Sequence, residues 1–327
     1  MALTDTFNRP IDYLRLSVTD RCDFRCVYCM SENMQFLPRK DILTIEEMTQ
    51  LAQAFTELGV RKIRITGGEP LVRRNVQQLL HNLGQLPQLQ ELVMTTNGSQ
   101  LKHYTPHLID AGIERINVSL DSLRPDKFKA LTRTGDLHTV LEGIEYALDA
   151  GLHIKLNSVI LKQRNVDEVV DLVRFAVDKT MDISFIEEMP LGIIDEHQRQ
   201  HEFISSTALR KLIQQEFTLI ESNKSTGGPS RYWGIKGSTS MVGFISPHSD
   251  NFCSDCNRIR VTAEGQLLLC LGNEHSVDLR KIIRNHPNDS NRLQQTIIDA
   301  MQIKPEKHEF DLAQEPQILR FMNMTGG

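Results

Sequence analysis

Three cysteines, Cys22, Cys26 and Cys29, stand within eight residues near the start of the chain, spaced Cys-x3-Cys-x2-Cys. A zinc site closed by protein takes four Cys or His ligands, and four thiolates fill an ordinary iron–sulfur cluster. This stretch offers three, and no neighbouring His or Cys supplies a fourth. A cubane held by three thiolates keeps one iron open to a further ligand. The spacing therefore points to a catalytic [4Fe-4S] site, with zinc or an electron-transfer cluster as the competing readings.

The other three cysteines, Cys253, Cys256 and Cys270, form a second group. Glu264-Gly265 lies between two apolar runs and predicts a hairpin, which would return Cys270 to the Cys253/Cys256 end. Arg258 and Arg260 are two apart on the first arm and point to one face. Three thiolates beside two guanidiniums suit an anion that also touches the metal. A structural zinc site completed by His248 or His275 is the alternative.

Elements that could position these groups follow a regular order. Asp12 to Thr19 reads as a strand leading into the first triad. A helix over 45–58 has Thr44 as N-cap, Glu47 at the capping-box position and Gly59 as a stop. Further strands are Lys62–Thr66, Glu91–Thr95, Arg115–Asp121, His153–Ile160 and Asp182–Glu187. They lead respectively into Gly67-Gly68-Glu69-Pro70, Thr96-Asn97-Gly98 and, after the last, Glu188-Met189-Pro190. Helical segments fall between them, for example at 138–150 and 166–179. Alternating strand and helix implies βαβ units and a parallel sheet. Six such units without a GxGxxG turn predict an α/β fold, an incomplete (βα)6 TIM-like barrel with its polar and Gly-rich residues at the C-terminal strand ends. From about 225 the texture changes to short strands and turns, followed by helices at about 277–285 and 289–302. The expected division is a partial barrel over 1–222 and a second-site region over 223–327, ending in Gly326-Gly327. Terminal glycines by themselves read as a frayed end.

Composition narrows the class. The 327 residues are 40% hydrophobic and 24% charged, ordinary for a soluble globular protein. No apolar run approaches a membrane span, and the N-terminus lacks a signal-peptide core. Six cysteines in two triads imply metal sites in a reducing compartment rather than disulfides, so a cytoplasmic protein is expected. A net charge of −5 argues against a nucleic-acid binder. An anionic ligand would need a local basic pocket.

Taken together, these stretches resemble the GTP 3′,8-cyclase family of radical S-adenosylmethionine (SAM) enzymes. The resemblance runs in order through Thr19-Asp-Arg-Cys22 to Met30, Gly67-Gly68-Glu69-Pro70, Thr95-Thr96-Asn97-Gly98, Asn117-Val-Ser119-Leu-Asp121, Glu187-Glu-Met189-Pro190, Cys253-x2-Cys256-Asn-Arg258-x-Arg260, Cys270 and Gly326-Gly327. Ser31 departs from it, standing where the family usually has Pro. The resemblance implies two [4Fe-4S] clusters and SAM. Reductive cleavage of SAM would give a 5′-deoxyadenosyl radical that removes hydrogen from C3′ of GTP, and the C3′ radical would then attack C8 in the first step of molybdenum cofactor biosynthesis. Cys22, Cys26 and Cys29 would hold the SAM cluster, and Cys253, Cys256 and Cys270 the cluster that binds the guanine base. Tyr28, Gly68, Ser119 and Met189 match SAM-contacting positions. Arg15, Arg64, Thr95, Lys155 and Arg258-Ile259-Arg260 match GTP positions, where forked guanidiniums suit a triphosphate. Gly326 and Gly327 would reach into the active site. Implied partners are an external electron donor, the downstream cyclic pyranopterin monophosphate synthase and a second copy of the chain.

Blander readings compete residue by residue. Arg64 and Lys155 could be solvated strand-end charges, Ser119 a turn cap and Met189 core filler. Arg21, Arg25, Arg73 and Arg74 read as surface or supporting charges. Another radical SAM enzyme with an auxiliary cluster, such as a peptide-modifying enzyme, is the competing activity. A non-enzymatic iron–sulfur sensor or zinc-stabilised binding protein is the competing class.

Overall fold

The computed structural model describes residues 3–194, 197–312 and 318–326. Its first two-thirds alternate strand and helix. The run begins β1 (Tyr13–Ser17), α1 (Ile45–Glu57), β2 (Lys62–Thr66), α2 (Val76–Gly84), β3 (Glu91–Thr96), α3 (Leu101–Asp110) and β4 (Arg115–Ser119). It continues with α4 (Pro125–Thr132), α5 (Leu137–Asp149), β5 (His153–Val159), α6 (Val169–Asp178) and β6 (Asp182–Ile186). β1 to β6 lie side by side in chain order, every neighbour parallel. The expected α/β partial barrel is present. At the head of α1 both halves of the expected capping box form: Glu47 N–H donates to Thr44 Oγ1 at 3.2 Å and Thr44 N–H to Glu47 Oε2 at 2.8 Å.

The rest of the chain completes this sheet. It comprises α7 (Arg199–Glu202), α8 (Ser206–Ile213), β7 (Leu219–Glu221), β8 (Arg231–Ile235), β9 (Met241–Ile245), β10 (Arg258–Val261), β11 (Gln266–Leu268) and β12 (Ser276–Asp278). Three helices follow: α9 (Leu279–Asn285), α10 (Ser290–Ala300) and the short α11 (Met322–Thr325). β9 adds in parallel to β6 and β10 in parallel to β1. Each exposed edge of the six-stranded sheet is thus covered by the C-terminal third of the chain. β8 and β7 extend the sheet antiparallel beyond β9, and β11 and β12 beyond β10. The hairpin expected at Glu264-Gly265 is β10–β11, with Arg260 opposite Leu268.

Side-chain alternation explains what the sheet encloses. On one face Leu14, Leu16, Ile63, Ile65, Leu92, Met94, Ile116, Val118, Ile154, Leu156, Ile183 and Phe185 join helix residues such as Met48, Phe55, Leu80 and Ile144 in one buried core. On the other face the same strands present Tyr13, Arg15, Arg64, Thr95, Asn117, Ser119, Lys155 and Asn157 to a cavity. A parallel sheet buried on both faces by helices reads as near-continuous apolar runs. Here period-two alternation survives because the inner face lines open space. No helix among the described residues is long and apolar enough to cross a membrane.

Candidate active site

One cavity on that inner face collects nearly every residue singled out from the sequence. All six cysteines line it, as do Tyr28, Gly68, Ser119 and Met189, and so do Arg15, Arg64, Thr95, Lys155, Arg258, Ile259 and Arg260. The cavity is not confined to the C-terminal ends of the strands, as expected from the barrel analogy. Tyr13 opens β1, Arg15 sits at its middle, and Arg258 begins β10 opposite Tyr13. The first triad follows the C-terminal end of β1, whereas Cys253 and Cys256 precede β10 at the opposite end of the sheet. The sequence marked the second triad as a separate hairpin site; the parallel pairing of β10 with β1 is what brings it to the same cavity.

The first cysteine loop is braced from three sides. Arg25 and Val27 N–H groups donate to Thr132 and Leu131 carbonyls at the end of α4, and Phe24 packs edge-on against Phe128 at 5.8 Å. Asn97 Nδ2 and Ser99 Oγ donate to the Asp23 carboxylate at 2.7 and 2.6 Å. Gly68 supplies the third side: its N–H donates to Thr19 O at 2.8 Å, and a Cβ there would lie 2.4 Å from Arg21 O. Glycine is therefore required by contact with the cysteine loop itself. Arg25 and Arg73 donate to backbone carbonyls of Phe24 and Leu43, so they support loops rather than face solvent alone.

The donors of this triad suit an iron–sulfur cluster. Burial pushes all three thiols up, Cys29 to about 12. Without a cation they would stay protonated, and iron would displace those protons. Phe24 N–H points at Cys22 Sγ at 3.4 Å and Asn97 Nδ2 at 3.8 Å, as donors to a thiolate do. Among the described residues no three Cys, His, Asp or Glu side chains converge closely enough to hold a single metal ion. Three cysteines lining one cavity suit a cubane, in which each would bind its own iron.

At the second triad burial also raises the Cys256 thiol, but Arg258 and Lys304 outweigh it and hold that thiol below its ordinary value. Lys304 is buried, donating to Leu269 O at 2.6 Å and Arg258 O at 3.1 Å with Nζ 3.8 Å from Cys256 Sγ. Nothing in the sequence marked Lys304. Burial raises Cys270. The two histidines considered as a fourth ligand do not line the cavity. His248 Nε2 is bonded to the Glu188 carbonyl at 2.9 Å, and His275 is exposed.

Between the triads lies a cationic band. Arg260, Arg15 and Arg64 are register partners on three adjacent strands. Arg64 and Lys155 are 5% and 6% exposed, which removes the reading of them as solvated strand ends. Arg64 donates to Tyr13 Oη at 2.5 Å, Met94 O at 3.0 Å and Thr95 Oγ1 at 3.2 Å. Lys155 donates to Tyr232 Oη at 2.8 Å. Burial lowers Arg15 to about 10, and burial with the neighbouring Arg15 and Arg258 lowers Arg260. Cations weakened in this way want a counter-ion. Arg15 Nη2 and Arg260 Nη1 each donate to Gly326 O at 3.0 Å, so the tail enters the site; Gly327 lies outside the described residues.

The carboxylates lining the cavity are engaged elsewhere. Tyr28 Oη donates to Asp121 Oδ2 at 2.7 Å, and burial pushes Asp121 up to about 6. Glu187 accepts from the Ser206, His248 and Ser249 amides, and Glu188 Oε1 pairs with His197 and Arg199. Glu69 lies outside the lining, and burial raises it to about 8 against bonds from Asn97 N–H, Leu71 N–H and Thr96 Oγ1. Met189 and Ser119 are half-buried and face the cavity, so Met189 is not core filler. Thr66 Oγ1 and Asn117 Oδ1 are buried with no hydrogen-bond partner and border the same space, open acceptors for a bound molecule.

The chain resembles known proteins along its length. Residues 16–176 match the radical SAM superfamily and residues 181–310 match Molybdenum Cofactor Synthesis C. Relatives named GTP 3′,8-cyclase include one from Pseudomonas entomophila (strain L48), 60% identical over 100% of this chain and 98% of its own, and one from Saccharophagus degradans, 59% identical over 99% and 98%. Among solved structures, Streptococcus suis SuiB superposes with a TM-score of 0.64 at 17% identity, covering 88% of this chain and 67% of that one. Its complex with S-adenosylmethionine gives 0.63 at 16% identity, covering 94% and 79%. At such identities SuiB shares the fold alone. Two matched segments that between them hold both cysteine triads, and full-length relatives at this identity, lead to one statement: the chain belongs to the GTP 3′,8-cyclase family of radical SAM enzymes.

Proposed function

We propose that the protein is a GTP 3′,8-cyclase that converts GTP to 3′,8-cyclo-7,8-dihydro-GTP, opening molybdenum cofactor biosynthesis. The observation that carries the reading is the single cavity shared by two cysteine triads and a row of buried cations. Cys22, Cys26 and Cys29 would hold the cluster that chelates SAM, with Tyr28, Gly68, Ser119 and Met189 around the cofactor. Reduced and loaded, that centre supplies a 5′-deoxyadenosyl radical able to take the C3′ hydrogen of GTP. Cys253, Cys256 and Cys270 would hold a second [4Fe-4S] cluster for the guanine base. Arg258 and Arg260, with Ile259 between them, would fix the triphosphate together with Arg15, Arg64, Thr95 and Lys155. Charge-assisted bonds from forked guanidiniums orient such an anion as well as bind it, and orientation governs which hydrogen is exposed to the radical. Gly326 and Gly327 would close the site without side chains to obstruct it.

The reading carries several partners: an external electron donor, a downstream cyclic pyranopterin monophosphate synthase, and a second copy of the chain in a cytoplasmic homodimer. Its test is anaerobic incubation of reduced, cluster-loaded protein with SAM and GTP deuterated at C3′. Deuterium in the 5′-deoxyadenosine, formed only with GTP, is expected. Unlabelled deoxyadenosine would keep the radical chemistry and discard GTP in favour of another substrate, such as a peptide. No deoxyadenosine from intact clusters would leave a sensor or binding protein.

A further inference from the structure

Tyr13 was not among the residues marked from sequence, yet it stands at the centre of the cationic band. It is 3% exposed and lines the cavity. Arg64 Nε donates to its phenol oxygen at 2.5 Å, and Lys62 Nζ lies 5.0 Å over its ring. Arg15 follows two residues later on the same face of β1. Lys62 on β2 and Arg258 on β10 are its register partners, and Arg64 and Arg260 are those of Arg15. Arg64, Arg15 and Lys62 thus crowd one phenol, with Arg258 and Arg260 on the adjoining strand. The carboxylate that reaches this group, Glu91 on β3, is taken by Lys62 at 2.6 Å and by Arg115 on β4. Packing so many cations together before substrate arrives is costly without an anion among them.

We propose that Tyr13 is a positioning residue and the built-in anion of the substrate site. Its phenolate holds Arg64 and Arg15 in place while the site is empty. When the triphosphate of the nucleotide neutralises those guanidiniums, the phenolate takes up one proton from solvent. The supporting electrostatics run the same way: burial raises the phenol, but Arg64, Arg15 and Lys62 outweigh it and bring it down to about 7. Free protein therefore carries the phenolate above that pH, and an incoming polyanion shifts it back toward the neutral form. Binding should weaken by up to about tenfold per pH unit above neutrality. The proposal rests on the nucleoside triphosphate reading, and its test separates the two.

Cluster-loaded wild-type protein and Tyr13→Phe are compared anaerobically at about pH 8. The near-ultraviolet difference spectrum between them reports tyrosinate, and inorganic tripolyphosphate, transparent in that region, serves as anion. Wild type should show the tyrosinate band and lose it on titration with tripolyphosphate. Calorimetry of GTP binding in buffers of different ionisation heat should show close to one more proton taken up by wild type than by Tyr13→Phe, whose affinity should be flat with pH. Absence of the band in free wild type, a band that no anion removes, or equal proton uptake in both proteins overturns the proposal. A band removed by tripolyphosphate in protein that does not bind GTP overturns the GTP reading and leaves Tyr13 in its role.

Discussion

Arg15 and Arg260, register partners on neighbouring parallel strands, meet at a single atom, the carbonyl oxygen of Gly326. The residue that carries this oxygen has φ +79°, and a Cβ on it would lie 2.3 Å from Thr66 Oγ1. Both the backbone conformation and the space demand glycine. Gly326→Ala should leave both clusters in place and cut turnover by about a hundredfold, the scale of a small displacement near reacting groups. Normal turnover in that variant, measured as deoxyadenosine and cyclised product, would show that the tail contact is dispensable.

Arg258→Ala and Arg260→Ala should each bind iron normally and cyclise much more slowly. A hydrogen bond to a charged group is worth about 1.5–3 kcal/mol, so kcat/KM should fall roughly ten- to a hundredfold or more. Iron analysis together with product assay separates this from a folding defect. Undiminished cyclisation in either would remove that arginine from the triphosphate clamp.

Gly68→Ala should act on the metal rather than on the substrate. The added methyl would meet the Arg21 carbonyl oxygen at 2.4 Å and its carbon at 2.7 Å. One side of the cysteine loop must then move, so iron and sulfide content should fall to about half as the first site fails to load and the second survives. Cys270→Ser should do the converse, leaving SAM-dependent spectral changes intact. Full iron content in Gly68→Ala would mean the loop accommodates the methyl.

Thr44→Ala tests the scaffold. The reciprocal bonds with Glu47 are solvent-exposed and far from the cavity residues. Loss of this cap should cost about 1 kcal/mol in a urea unfolding series with activity per cluster unchanged.

Much of this architecture was legible in sequence wherever the signal was local. The Thr44/Glu47 box, the alternation of Tyr13-Leu-Arg15-Leu and the Glu264-Gly265 turn each announce themselves within a few residues, and each is present. The cations that line the cavity were named only through resemblance, since a charge inside a short strand does not by itself show which face it takes. What escaped was nonlocal or short. α4 spans eight residues, too few for a periodic signal, yet it braces the cysteine loop. Lys304 lies far along the chain from the Cys256 it faces. Tyr13 was visible as a strand residue, and its position two before Arg15 was the clue to its facing the cavity. The pairing of β10 with β1 leaves no trace in either segment alone.

That last pairing sets an order of assembly. Asp12 and Asn257, joined by a side-chain hydrogen bond at 2.6 Å, are 245 residues apart in the chain. During synthesis the outer edge of β1 emerges early and stays without its partner strand until most of the protein has been made. Loop closure over such a span is a late and slow event, and an unpaired edge invites association with other chains. The newborn protein therefore has a long interval in which its first strand is vulnerable. The cavity, walled on one side by β10, comes into being only at the end of that interval, so the two cysteine triads come to share one space in the finished chain and not in the growing one.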